Sequence, residues 1–190
     1  VAPALYSVSA RRRYERAGIS QRGKGTTTIH GDGTPVKFEE SLEVGALENK
    51  KARQETLLEF SSGKAHLRYV QGGKEQPPLD LEVPKGTFLT ASQAIEHWAI
   101  LLSSLPPGCE KHQLKLFYPD FGKLMDVVFR KTGAEKLKTG QGEVDATRYS
   151  FASEGNSLRG SVWVDASGRL LQMEFPNPSK DLSLRVTLAR

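Results

Sequence analysis

The sequence predicts a mainly β protein: one large curved antiparallel sheet, or a half-barrel, with one central amphipathic helix lying across its concave face. Three observations carry this. Short apolar/polar alternations recur along nearly the whole chain, the period-2 pattern of half-buried antiparallel strands. Turn residues, chiefly Gly with Asp, Ser or Asn, punctuate them at short intervals. One central stretch alone changes to the helical period. No Pro/Ser linker, low-complexity run or fixed-period repeat divides the 190 residues, so a single domain over 1–190 is expected.

The strands follow in order. "LYSVSARRRYERAG" and "ISQRGKGTTTIH" read as an opening hairpin, the second strand stiffened by the β-branched run Thr26 to Ile29. The turn "GDGT" leads to "PVKFEESLEV", where broken alternation suggests a bulge. "ARQETLLEF", the turn "SSGK" and "AHLRYVQ" form another hairpin, closed by "GGKEQPP" and followed by a short "LDLEVP". Beyond the helix come "HQLKLFYP", the turn "DFGK" and "LMDVVFRK", a strand with a short helix as the alternative. "AEKLKT", "EVDATRYSFA", "LRGSVWVD", "RLLQMEF" and "DLSLRVTLAR" complete a meander of about twelve strands.

The helix is expected over 90–105. In "TASQAIEHWAILLSSLPPG" the residues Ala91, Ala94, Ile95, Trp98, Ala99, Leu101, Leu102 and Leu105 follow an i, i+3, i+4, i+7 stripe. Thr90 with Gln93 makes a capping box, and Pro106-Pro107-Gly108 ends the helix.

Composition narrows the function classes. No apolar stretch approaches the roughly 20 residues of a membrane-spanning helix. Cys109, the single cysteine, cannot form an intramolecular disulfide, which permits export without demonstrating it. The opening "VAPALYSV" carries neither initiator Met nor signal-peptide regions and reads as a chain after signal removal or trimming. The net charge of +5 is concentrated: Arg11, Arg12, Arg13, Arg16, Arg22 and Lys24 face only Glu15 within one hairpin-sized segment, and the remainder is balanced. That segment is either the charged defence of a sheet edge or a surface for an anionic partner, whether lipid headgroups or a carboxylated or phosphorylated ligand. Nucleic acid is the least favoured partner, since Tyr14 is the one aromatic there for base stacking.

Candidate chemistry is sparse. "GISQRGKGT" approaches a phosphate-cradling loop but has Gly25 where Ser or Thr should bind the metal, and its flanks read as strands. Cys109 and His112 are close in sequence, yet the cysteine follows a helix-ending Pro-Pro-Gly and reads as a loop residue. His30, His66, His97 and His112 lack metal-ligand spacing, so neither a metal nor another cofactor is expected. Ile95, Trp98 and Leu102 on the helix, with Trp163, Met173 and Phe175 on the last strands, either fill a core or line an apolar groove between helix and sheet. If the turn at Ala166-Ser167-Gly168 pairs its strands simply, Trp163, Leu171, Met173 and Phe175 share one face and Asp165 is a turn residue rather than a catalyst.

The ending "GEVDATRYSFASEGNSLRGSVWVDASGRLLQMEF" and the early "YERAGISQRGKGTTTIHGDG" resemble an uncharacterised family of exported bacterial β-sheet domains, which also occur ahead of transglutaminase-like modules. That family is similar in architecture to the periplasmic lipoprotein carriers, whose curved sheet and capping helix enclose an apolar groove. The resemblance implies a non-enzymatic, periplasmic or otherwise exported domain that binds a hydrophobic or amphipathic ligand, lipid or lipoprotein, in such a groove. The alternative is an envelope interaction or scaffolding module that engages a protein or cell-envelope polymer through sheet edges and Arg11, Arg12, Arg13 and Arg16.

Overall fold

The computed structural model describes residues 4–16, 19–46, 51–91, 94–106, 108–119, 122–139, 142–175 and 184–187. Among them the strand-rich reading holds: the elements are strands but for one α-helix and short 3-10 turns such as Glu154–Asn156. β1 (Leu5–Arg16), β2 (Ile19–His30), β3 (Pro35–Ala46), β4 (Lys51–Ser61), β5 (Lys64–Gln71) and β6 (Lys74–Glu75) follow one another across the first sheet, and β7 (Leu79–Glu82) shares the outer edge of β5 with β6. β8 (Thr87–Leu89), α1 (Ile95–Ser103), β9 (Lys111–Tyr118), β10 (Lys123–Thr139), β11 (Gly142–Ser153), β12 (Arg159–Val164), β13 (Leu170–Phe175) and β14 (Leu184–Thr187) complete the chain. The strands among these form a second sheet in the order β14-β13-β12-β11-β10-β9-β8. The strands thus divide between two seven-stranded sheets. The chain leaves the first sheet after Glu82, where Pro84 lacks a donor and Gly86 takes φ 80°.

Two compact units result, residues 1–96 with 117–123 and residues 97–116 with 124–190. In the first, alternation places Thr27, Phe38, Leu58 and Leu67 in one row across β2 to β5, while Lys37, Glu39 and Glu59 point to the other face. Phe38, Leu58 and Ala65 join Val83, Leu89, Ala91, Ala94 and Phe117 in a buried cluster, with Phe60 edge-on to Phe117 at 6.0 Å. The expected bulge in β3 is at its start: Thr28 pairs with Lys37 and Ile29 with Pro35, which leaves Val36 as the extra residue. In the "GDGT" turn Gly33 takes φ 84°, and a Cβ there would stand 2.7 Å from the Phe88 ring. Only glycine satisfies both constraints.

The second unit is organised by Trp98. Its indole meets the rings of Phe129 at 6.5 Å, Phe151 at 4.7 Å and Phe175 at 5.6 Å. Register explains the meeting, because Phe129 opposes Phe151 and Phe151 opposes Gly160 across β10, β11 and β12. Gly160 leaves the room: a Cβ there would lie 2.6 Å from the Phe151 ring and 2.3 Å from the Glu174 carbonyl oxygen. "LMDVVFRK" and "AEKLKT" are one long strand, β10, bulged between Lys131 and Gly133.

The helix is shorter than its apolar stripe suggests. Thr90 lies beside β9, its backbone N–H donating to the Phe117 carbonyl at 3.0 Å, and its buried hydroxyl caps no backbone N–H among the described residues. Gln93, the other half of the expected capping box, lies outside the described residues. At the far end the Ser103 and Ser104 hydroxyls donate to the Ile100 and Leu101 carbonyls, both at 2.6 Å, and Leu105 N–H turns back to Leu102. These bonds draw off the last carbonyls and close the helix before Pro106.

Two substitutions measure this packing. Trp98→Ala is expected to cost about 3–5 kcal/mol, the range for a buried large aromatic. Gly160→Ala, which forces a methyl into occupied space, should cost roughly 1–3 kcal/mol. Urea unfolding followed by far-ultraviolet circular dichroism reads both, and a Gly160→Ala protein as stable as the wild type would refute the close packing at β12.

Candidate functional site

The six apolar residues proposed for a groove do not all come together: Trp98 and Phe175 meet, but Trp163 stands apart. Trp98, Leu102 and Met173 are buried, and Ile95 and Phe175 are half-buried. Across β12 and β13, Val162 opposes Met173 whereas Trp163 opposes Gln172. Trp163 therefore sits on the sheet face opposite Met173 and Phe175. The simple hairpin that would have aligned all four is displaced by a bulge: Val164 pairs with Leu170, and Leu171 becomes the extra residue. Leu171 accordingly packs with Trp163 and Ala146, supported by Leu137 and Val144. The Trp163 indole N–H donates to Glu135 Oε1 at 2.5 Å, and the Arg148 guanidinium lies 5.0 Å from its ring centre.

That same face carries a trough of about 870 Å³ across β10 to β13. Three cross-strand rows build it. Arg130, Ser150, Ser161 and Glu174 oppose one another in sequence, Val128, Ala152 and Arg159 form the row on one side, and Arg148 with Trp163 the row on the other. Short side chains make the floor and three exposed arginines the walls. Arg148 is held by its ring contact and by a 3.3 Å hydrogen bond to Ser161 Oγ. Among the described residues Arg130 and Arg159 have no acidic partner. Three acids line it as well: Asp126 accepts from Lys115 Nζ at 2.8 Å, Glu174 accepts from the neutral Gln172 amide at 3.3 Å, and Glu154 stands exposed at the end of β11. Sequence reasoning missed this trough because its arginines are dispersed over 29 positions and come together only through register. The available signal was the period-2 spacing of Arg148 with Ser150 and of Arg159 with Ser161.

The basic hairpin lies at a true sheet edge, since β1 is the first strand of its sheet. Arg11 directly opposes Lys24 and Arg13 directly opposes Arg22, and all four are exposed. Like charges in register cost stability. The backbones of Arg12 and Arg16 are in β1, with Arg12 opposite Gly23 and Arg16 opposite Ile19.

Cys109 is half-buried beside Tyr149. Burial first, then the neighbouring Cys109 and Glu110, pushes the Tyr149 phenol above its ordinary range. His66 Nδ1 instead meets Asp80 at 2.5 Å on the exposed edge of β5 and β7. Among the described residues no three His, Cys, Asp or Glu side chains gather as a metal site, and no helix is long and apolar enough to cross a membrane.

Asp165 closes the β12–β13 turn. Its Oδ1 accepts from the Ser167 hydroxyl at 2.7 Å and from the backbone N–H groups of Ser167 and Arg169 at 3.0 Å each, while Arg169 Nη2 meets its Oδ2 at 2.6 Å. Burial alone would raise its pKa, but these bonds outweigh it and hold the carboxyl below the ordinary 3.8. A depressed carboxylate stabilises the fold above its unfolded pKa and loses that contribution as pH falls through its folded one. Asp165→Asn should therefore lower the thermal midpoint at pH 7 and flatten its decline below about pH 4, readable by melting curves from pH 2 to 7. Parallel curves for the two proteins would contradict this account.

These features define an antiparallel, mainly β domain with one helix, without an assembled catalytic centre among the described residues. Within that class the chain belongs to the family described as domain of unknown function DUF6134, matched over residues 40–187. It is similar to the β-barrel-like protein of the DUF1849 family from Brucella abortus, with a TM-score of 0.61 and 13% identity, covering 98% of this chain and 80% of that one. It is also similar to a DUF1089 family protein from Pseudomonas aeruginosa, with a TM-score of 0.51 and 14% identity, covering 90% and 89% of the two chains. At such identities the likeness is one of fold. No curated protein matches the sequence.

Proposed function

We propose that the chain is a non-catalytic, exported bacterial domain that works as an interaction module of the cell envelope, holding an anionic envelope polymer on the cations of β1 and β2. One observation carries this reading: two like-charged pairs, Arg11 with Lys24 and Arg13 with Arg22, stand in register on exposed strands. Edge defence accounts for charge on β1, but β2 is an interior strand and needs none. The pairs form a patch about 7 Å along the strands and about 5 Å across them, a size suited to the oxyanions of one chain. Beside it on the same face Glu43 directly opposes Arg22, and Glu39 and Glu55 are ion-paired with Lys37 and Arg53, so the patch keeps its cationic excess.

A groove for a hydrophobic ligand between helix and sheet is the lesser reading, because Trp98, Leu102 and Met173 are packed as a core is packed. Native mass spectrometry of protein purified from cell extract separates the two: co-purified lipid would restore the groove, and none is expected.

Replacing Arg11, Arg13, Arg22 and Lys24 together by Ser should release the protein from isolated cell envelopes at 0.15 M salt, with at least a tenfold loss of the bound fraction at equal load. The wild type should be released by raising the salt. Co-sedimentation measures both, alongside a circular dichroism spectrum showing the fold retained. Binding that survives the fourfold replacement would refute the reading.

A further inference from the structure

The geometry points to a second binding site, the trough across β10 to β13, for a small amphiphilic anion with a carboxylate or phosphate head and a short apolar body. Its residues are distinct from those of the cationic hairpin, and so is its chemistry. The rows fix which side chains meet. Ser150 and Ser161 are neighbours across β11 and β12, and Arg130 and Glu174 stand at the two ends of their row. Arg159 lies one row away, opposite Ala152, and Arg148 one row away on the other side. Three long cationic side chains thus rise around a floor of hydroxyls and small apolar groups.

Asp126 is neutralised by Lys115, which leaves Arg130, Arg148 and Arg159 against Glu154 and Glu174, a small cationic excess; Arg148 is occupied by Trp163 and Ser161. Arg130 and Arg159 remain without an acidic partner among the described residues, and each offers five N–H donors suited to a bidentate oxyanion. At the floor the Ser161 hydroxyl, which accepts from Arg148, keeps its own O–H to donate, while the Ser150 hydroxyl donates to the Arg130 carbonyl at 3.5 Å. Val128 and Ala152, half-buried in the neighbouring row, supply the apolar surface. A volume of about 870 Å³ admits a small ligand whole, within the usual range of roughly 300–1,000 Å³ for such sites. The Arg148–Trp163–Glu135 chain fixes one wall, so the site needs little rearrangement on binding.

Titration of ¹⁵N-labelled protein with octanoate, octyl phosphate and inorganic phosphate, all below micelle-forming concentrations, tests the site. Saturable shifts of the Ser150, Arg159 and Ser161 amides are expected with octanoate or octyl phosphate, the stronger of the two naming the head group. Inorganic phosphate should bind more weakly than octyl phosphate; equal affinity would overturn the apolar half of the proposal. The Arg130→Gln/Arg159→Gln protein should bind about tenfold or more weakly, as the loss of two charge-assisted contacts requires. Both side chains are exposed, so its melting temperature should match the wild type. No saturable shift with any probe, or unchanged affinity in that variant, would overturn the site. The fourfold hairpin replacement should leave these titrations unaltered, which keeps failure here distinct from failure of the envelope reading.

Discussion

The insertion of Trp98 among Phe129, Phe151 and Phe175 is the constraint on which the second unit depends. A helix as short as α1 cannot stabilise itself, since isolated helices below roughly 12–15 residues are marginal in water. Its order comes from packing. Trp98, Leu101 and Leu102 are all at most 3% exposed, and burial of such side chains contributes about 1.5–3 kcal/mol each. The contact also fixes the register of three strands, because Phe129, Phe151 and Gly160 must oppose one another for the indole to fit. A slip of one residue on any of them would send an aromatic ring to the opposite face.

Register on the packed face determines what stands on the other. With Phe151 and Phe129 beneath α1, their neighbours Ser150, Ala152, Val128 and Arg130 must point away. The bulge at β13 then turns Leu171 toward Trp163 while Met173 stays with Val162, so one hairpin serves two faces. Trp163 is buried by its own small cluster and carries Arg148 on its ring, which gives the polar face a packed point among exposed arginines. The trough and the aromatic core are consequences of the same pairings.

Much of this fold was legible from alternation alone, because strand existence and turn positions depend on local chemistry that the residues state directly. Asp165, with Ser167 and Gly168 behind it, could be read as a turn for that reason. Three features were hidden by non-local effects. Thr90 sits beside β9 with its hydroxyl uncommitted to any backbone N–H among the described residues, so the capping pattern in the sequence is not used and the helix begins at Ile95. The extra residue at Leu171 is invisible in a sequence that alternates through it, and it separates Trp163 from Met173. The arginines of the trough lie on three strands, whereas those of the hairpin are adjacent in sequence and drew the eye first.

Energetic scale separates the two cationic features. Opposed like charges on exposed strands cost roughly 0.2–1 kcal/mol per pair, small against the several kcal/mol held by an aromatic core, so the fold tolerates the β1–β2 ladder without requiring it. The trough arginines are different, since Arg148 also packs against Trp163 and its truncation would loosen the sheet face as well as remove charge. Arg130 and Arg159 have no such structural task among the described residues, and the chemistry of the trough therefore rests on them.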